Sequence, residues 1–261
     1  MNALLTGLRV LVTRPDPQHE EICTAIREAG GSAFHFPLIR VEPITEEHSI
    51  QHIKSRIKNL DQYHILIFVS TNAVRYGAHW ITQCCEGVPI HADVLAIGLG
   101  TARKASCELN CDVTNSGQGG NSERLLESEK LKDIQGKKIA IFRGQGGREL
   151  LNDTLRLRGA DVDYIEVYKR LPANNTSAKL LKLQKEENIN TYFITSAESL
   201  QRLNSLLEGS TQKEGALKKI PLIVPSVRVA KMAEHFGFMK VKVAMGVDIE
   251  ATINALQELA N

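Results

Sequence analysis

A repeat that runs through the chain in cyclic order limits the available folds more than any other feature. Gly7-Leu8-Arg9-Val10-Leu11-Val12-Thr13-Arg14 has its counterpart in Gly136-Lys137-Lys138-Ile139-Ala140-Ile141-Phe142-Arg143. Both are a glycine, a short apolar run and an arginine at its end. Gly30 then answers to Gly159, and Pro43 to Pro172. Two further segments recur. Ile65-Leu66-Ile67-Phe68-Val69-Ser70 resembles Thr191-Tyr192-Phe193-Ile194-Thr195-Ser196, and Val94-Leu95-Ala96-Ile97-Gly98 resembles Pro221-Leu222-Ile223-Val224-Pro225-Ser226, with Ala102 matching Ala230 downstream. A chance match at one segment is easy; three in a consistent cyclic order are not.

Each apolar run passes through small polar residues into a helical pattern. Continuous apolar strands, rather than alternating ones, indicate parallel sheets covered by helices on both faces. Helices are expected over 18–29 and 149–158, and second strands over 33–36 and 161–165. The fold class is therefore α/β, with two similar doubly wound parallel-sheet domains joined by a two-strand linker. The Gly7 block opens the chain, while its partner at Gly136 comes late in its own copy. The simplest arrangement places 1–38 and 173–261 in one discontinuous domain and 44–166 in the other. Segments 39–43 and 167–172 are then the interdomain linker strands, both β-prone and proline-terminated. A plain tandem cut near residue 130 is the alternative.

The length of 261 residues already favours two domains. A formal charge of +2 argues against a nucleic-acid partner held by counterion release. No apolar stretch is long enough for a membrane span, and the start of the chain, Met1 to Gly7, lacks the pattern of a signal peptide. The five cysteines, Cys23, Cys84, Cys85, Cys107 and Cys111, contain no CxxC pair, which argues against a disulfide framework or a zinc site. Cys107 and Cys111 share a helix spacing but read as packing residues. A cytoplasmic, reducing setting and a monomer are expected.

In parallel sheets ligands gather beyond the carboxyl ends of the strands, beside helix N-termini. The residues there are Thr13 and Arg14, Ser70 to Asn72, Gly98 to Thr101, Arg143 and Gly144, Thr195 and Ser196, and Pro225 and Ser226. Such hydroxyl, cationic and free N–H groups suit an anionic ligand. Taken one at a time, the serines and threonines equally suit helix N-capping. Nucleotide patterns are broken: Gly98-Leu99-Gly100 meets Arg103, and Gly144-Gln145-Gly146-Gly147 meets Glu149, where the third glycine belongs. Gly117-Gln118-Gly119-Gly120 reads as a loop running into a helix capped at Asn121. No GxSxG, HExxH or spaced metal-ligand cluster is present, and the pair His48 and His52 reads as surface. Tyr168, at the end of Tyr164-Ile165-Glu166-Val167-Tyr168, stands at a domain crossing, where it either faces a cleft or merely covers the hinge.

Together Val10-Leu11-Val12-Thr13-Arg14-Pro15, Phe68-Val69-Ser70-Thr71-Asn72-Ala73-Val74, Ala96-Ile97-Gly98-Leu99-Gly100-Thr101-Ala102, Asn121-Ser122-Glu123-Arg124-Leu125-Leu126, Arg143-Gly144, Val167-Tyr168-Lys169-Arg170 and Ile194-Thr195-Ser196 resemble the uroporphyrinogen-III synthase family, in family order over nearly the whole chain. The resemblance implies a reaction. Family members take hydroxymethylbilane, a linear tetrapyrrole with eight carboxylates, expel its terminal hydroxyl as water and close the ring with the last pyrrole inverted, through a spiro intermediate. It implies no metal and no organic cofactor. It places Ser70, Thr101, Ser196 and Tyr168 at cleft-lining positions. Taken with the strand ends, the candidate substrate-binding residues are Thr13, Arg14, Ser70, Asn72, Gly98, Thr101, Arg143, Gly144, Thr195, Ser196 and Ser226, and the candidate catalytic residue is Tyr168. The stretch Val224-Pro225-Ser226-Val227-Arg228 departs from the family pattern in lacking a glycine.

An ordinary tyrosine keeps its proton at neutral pH, so Tyr168 suits a general acid toward the leaving hydroxyl. The rival readings are a cytosolic two-lobed sensor that binds an anion or tetrapyrrole without catalysis, and a flavodoxin-like nucleotide enzyme.

Overall fold

The computed structural model describes residues 4–117, 120–147, 149–208 and 214–260. The opening Met1 to Ala3, and Gln118 and Gly119 of the glycine-rich loop, lie outside them. The chain divides into two compact units, Met1–Arg40 with Leu171–Asn261, and Val41–Arg170.

Eleven strands occur among the described residues: β1 (Arg9–Val12), β2 (Ser32–His35), β3 (Ile39–Pro43), β4 (Ile65–Phe68), β5 (Asp93–Ala96), β6 (Thr114–Asn115), β7 (Lys138–Gly144), β8 (Asp161–Pro172), β9 (Thr191–Phe193), β10 (Leu222–Val224) and β11 (Val241–Val243). The first unit holds a five-stranded sheet in the order β11-β10-β9-β1-β2, parallel throughout. The second holds a six-stranded sheet in the order β3-β8-β7-β4-β5-β6, in which β8 to β6 are parallel. Exchanging β7 for β1, β8 for β2, β4 for β9, β5 for β10 and β6 for β11 turns the five-stranded order into the six-stranded one less its edge strand β3. The second unit is thus a circular permutation of the first, as the repeat required. The chain passes between the units along β3 and β8, which are neighbours in the six-stranded sheet.

The apolar runs explain why both sheets are covered on two faces. In the first unit Leu11, Tyr192, Leu222 and Val224 pack with Leu200, Leu203, Val229 and Ala233 of helices Ala197–Glu208 and Val227–His235. Their sequence neighbours Val10, Val12, Phe193 and Ile223 turn the other way, onto Ile22 and Ile26 of helix His19–Glu28 and Leu256 of helix Ile249–Ala260. The second unit repeats the division. Leu66, Phe68, Ala140 and Phe142 face helices Glu47–Lys58 and Thr71–Cys84, while Ile65, Ile67, Ile139 and Ile141 face Leu125, Leu151 and Leu155. Each fully buried Leu or Ile contributes about 1.5–3 kcal/mol, so a polar residue inside a run is excluded until its end. Polar groups therefore collect at the carboxyl edges. The five cysteines are free, and no helix among the described residues is long and apolar enough to cross a membrane.

Candidate active site

The topology fixes where a site can form. In the second unit the chain order reverses between β7 and β4, and a crevice opens at such a point beyond the carboxyl ends of the strands. Gly144 ends β7, Ser70 follows β4, and Tyr168 comes from the adjoining β8. Between Arg143 and Gly144 the pairing of β7 with β8 slips: Arg143 faces Glu166, but Gly144 faces Tyr168. The extra residue, Val167, is accommodated as a bulge, a device that re-aims a side chain. Consequently Val167 and Tyr168, though consecutive, both pack into the same cluster.

The tyrosine ring lies over Gly144. A Cβ at that position would come 2.5 Å from Cε2 and 2.6 Å from Cζ of Tyr168. Tyr76 stacks on the same ring at 5.8 Å between centroids. Tyr168 is only 3% exposed, and its hydroxyl lies 3.1 Å from Ser70 Oγ. Ser70 is also the N-cap of helix Thr71–Cys84, accepting from the Ala73 N–H at 3.1 Å. A serine oxygen has one proton and two lone pairs, so Ser70 can serve the cap and still exchange a hydrogen bond with Tyr168. Thr71 and Asn72 follow on the first turn and are engaged in polar interactions of their own.

Arg143 is buried and held inside the protein. Its Nε donates to the Gly144 carbonyl at 3.2 Å, Nη1 to Glu149 Oε1 at 3.3 Å and Nη2 to the Gly146 carbonyl, and the guanidinium stands 4.3 Å above the Tyr164 ring. This arginine shapes the loop after β7. Gly98 caps helix Leu99–Leu109 at a φ of 78°, and its N–H donates to Ser116 Oγ at 3.0 Å. Thr101, in the first turn of that helix, is buried. Asn121 accepts from the Arg124 N–H at 2.9 Å and caps helix Ser122–Leu125.

The first unit carries Thr13, Arg14, Thr195, Ser196 and Ser226 at the ends of β1, β9 and β10. Thr13 is wholly buried and donates to the Phe193 carbonyl at 2.7 Å, tying β1 to β9. Arg14 donates to the carbonyls of Gln18 and Val247, and burial lowers its pKa against the opposing pull of Glu21 and Asp248. Ser196 accepts from the Ser199 N–H at 3.1 Å and exchanges a hydrogen bond with Ser199 Oγ at 2.9 Å. Ser226 caps helix Val227–His235 through the Val229 N–H at 3.5 Å. The expected residues thus fall into two groups, one on the carboxyl edge of each unit.

A family model described as uroporphyrinogen-III synthase HemD matches residues 20–254. The chain belongs to the uroporphyrinogen-III synthase family. The uroporphyrinogen-III synthase of Escherichia coli (strain K12) is 33% identical over 250 residues, covering 96% of this chain and 100% of that protein. One from Proteus mirabilis is 32% identical over 198 residues, 76% of this chain and 98% of its own length. Among solved structures, a mutant uroporphyrinogen III synthase from the extremely thermophilic bacterium Thermus thermophilus superposes with a TM-score of 0.62 at 17% identity, covering 97% of this chain and 98% of that one. The enzyme of Helicobacter pylori 26695 gives 0.57 at 14% identity, with 97% and 98% covered. Both share the fold. Membership makes the chain an enzyme of porphyrin biosynthesis, a cyclising lyase.

Two features of the edges had no signal in the spacing of residues. One is the seat that Gly144 provides for Tyr168, which depends on the bulge. The other is a cluster in the first unit, Asp16, His19 and His35, whose ligand-type atoms lie within 4.8 Å of one another. His35 reaches it only because β2 pairs with β1 in a register that sets Val12 beside His35. The spaced pair His48 and His52 is exposed.

Proposed function

We propose that this member of the uroporphyrinogen-III synthase family closes hydroxymethylbilane to uroporphyrinogen III, with Tyr168 as general acid and Ser70 as its partner. The observation that carries this reading is the Tyr168 hydroxyl held 3.1 Å from Ser70 Oγ at the strand-order reversal of the second unit. The pyrrole nitrogen beside the terminal carbon supplies the electron pair that breaks the C–O bond. Tyr168 gives its proton to the departing oxygen, which leaves as water. The last ring attacks through its bridged α-carbon to give the spiro intermediate. The bond from that carbon to its old methylene bridge then breaks, and the freed bridge is captured by the ring's other α-carbon. The proton that carbon loses as the pyrrole re-forms returns to the phenolate. Ser70, hydrogen-bonded to that oxygen, steadies the charge while the proton is away. A positioned acid of this kind contributes roughly 10²–10⁴-fold.

Choosing the attacking carbon is a matter of holding the chain, not of reactivity. In this reading Asn72 and Gly98 of the second unit bind substrate carboxylates, Thr101 and Gly144, both buried, shape that edge, and Arg14, Thr195, Ser196 and Ser226 of the first unit are further candidates for carboxylate binding. Thr13 and Arg143 act indirectly, since both are buried and spend their donors on neighbouring carbonyls and Glu149. With a formal charge of +2, N–H and hydroxyl donors at helix starts must share the work with the arginines. Hydrogen bonds to a charged group are worth about 1.5–3 kcal/mol each. We place the enzyme in the cytoplasm as a monomer acting on a small molecule, a setting that suits its five free cysteines. Supplying hydroxymethylbilane and resolving the oxidised products tests the reading: the type III isomer supports it, and type I alone, the product of unassisted closure, overturns it.

A further inference from the structure

We propose that Met245 is a substrate-contacting residue: with Val227 and Val247 it forms an apolar platform on the carboxyl edge of the first unit that takes the face of one pyrrole ring. The inference rests on hydroxymethylbilane being the substrate. Eight large apolar side chains are exposed among the described residues, and three of them stand at the ends of two neighbouring strands. Val227 opens the helix that follows β10, and Met245 and Val247 lie in the turn after β11. The two strands are parallel and in register, Val224 beside Val243, so both turns leave the same edge of the sheet. Val227 is 54%, Met245 73% and Val247 40% exposed. Single apolar residues scattered over a surface are ordinary, but a group on the edge where a ligand is expected marks a contact.

The backbone at Met245 adds an independent observation. Three residues other than glycine have a positive φ among the described residues: Asn110 at 51°, Asn188 at 47° and Met245 at 53°. Both asparagines end helices, where that residue type tolerates the left-handed conformation. Methionine has no such aptitude, because its Cβ crowds the following carbonyl oxygen. The strain would be offset if the side chain were packed in the core. Here it stands mostly in solvent and returns little to the fold. Glycine or asparagine would serve folding better at this position. Strain of this kind gathers at ligand-contacting sites.

The turn is pinned on both sides of the methionine. Upstream, the Ala244 N–H donates to the Val224 carbonyl at 2.9 Å. Downstream, Asp248 Oδ1 accepts from the Ala251 N–H at 2.9 Å and starts helix Ile249–Ala260. Gly246 packs so closely on that carboxylate that a Cβ there would come 2.9 Å from Asp248 Oδ2. Arg14 donates to the Val247 carbonyl, which ties the turn to the segment after β1. Met245 is thus presented two residues from the carbonyl that Arg14 holds. That pairing matches the substrate, whose pyrroles are flat aromatic rings bearing carboxylate side chains. Guanidinium, hydroxyl and N–H donors satisfy the carboxylates, and the ring face needs an apolar partner. The flexible, polarizable thioether of methionine suits an aromatic face.

The test compares Met245→Gly, Met245→Asn and Met245→Leu with the wild type, by thermal unfolding and by the rate of type III formation at varied hydroxymethylbilane. The first two variants relieve the backbone and are expected to unfold at or above the wild-type temperature. Each should raise KM about tenfold and leave kcat within about threefold, the signature of a lost contact made equally in the bound substrate and the transition state. Met245→Leu keeps an apolar side chain of similar volume and is expected to hold KM within about threefold of wild type. An unchanged KM in the folded Met245→Gly and Met245→Asn proteins would overturn the inference and leave the synthase reading intact. A lower unfolding temperature in both would overturn it too, because methionine would then be serving the fold. Wild-type protein that yields only the type I isomer fails the substrate reading itself, and the inference with it.

Discussion

The ring of Tyr168 rests on Gly144, so closely that no side chain fits between them, and this contact aims the phenol at Ser70. Gly144→Ala places a methyl group 2.5 Å from the ring carbon Cε2, so the ring must shift. Overpacking of this sort costs about 1–3 kcal/mol. The variant is expected to be destabilised by that amount in urea titration and to lose about tenfold or more in kcat. Its KM should change less, since the loss lies in the aim of the acid. Wild-type kcat in a folded Gly144→Ala protein would contradict the role assigned to this seat.

Ser70 has two duties, and they separate by comparison with Ser226. Both hydroxyls cap helices, so Ser70→Ala and Ser226→Ala should each lose about 0.5–2 kcal/mol of stability. Only Ser70 touches Tyr168. Turnover is therefore expected to fall further in Ser70→Ala than in Ser226→Ala at equal folded concentration. Adding Tyr168→Phe to Ser70→Ala should produce less than the product of the two single effects, as a double-mutant cycle reports for groups that act together. Fully multiplicative effects would separate the two residues.

Tyr63 makes a structural prediction about alkaline pH. Its hydroxyl donates to Asp163 Oδ2 at 2.8 Å, and Arg56 Nη1 reaches the same oxygen at 2.6 Å. Burial first, and the hydrogen bond to Asp163 second, raise its pKa well above the ordinary tyrosine range. A group whose folded pKa is raised contributes stability that is complete below the unfolded value, about 10, and is lost as pH rises toward the folded value. Stability should thus decline above about pH 10, more gently in Tyr63→Phe than in the wild type. Urea midpoints compared between neutral pH and about pH 11 check this, and parallel declines would contradict it.

The sheets could be read from the sequence because burial on both faces leaves continuous apolar runs, and because those runs occur twice. The helix expected over 149–158 is observed as Leu150–Leu157, and that over 18–29 as His19–Glu28. The second strand of the second unit was harder. The strand expected over 161–165 and the linker strand expected over 167–172 are one continuous strand, β8, because polar Glu166 interrupts the apolar signal while its backbone stays paired with Arg143. Strand-end serines were legible as a class, but not their partners. That Thr13 is spent on Phe193, that Arg143 is spent on its own loop and that His35 meets His19 all follow from register, which no local pattern encodes.

The most direct measurement compares wild type and Tyr168→Phe in the isomer-resolved hydroxymethylbilane assay. The variant is expected to keep its circular-dichroism spectrum and unfolding temperature, since only one oxygen is removed from a packed ring. Its kcat should fall by roughly 10²–10⁴-fold, with type I product rising as unassisted closure overtakes the enzyme. A variant that turns over within about tenfold of wild type and still releases type III would contradict the assignment of Tyr168 as the acid.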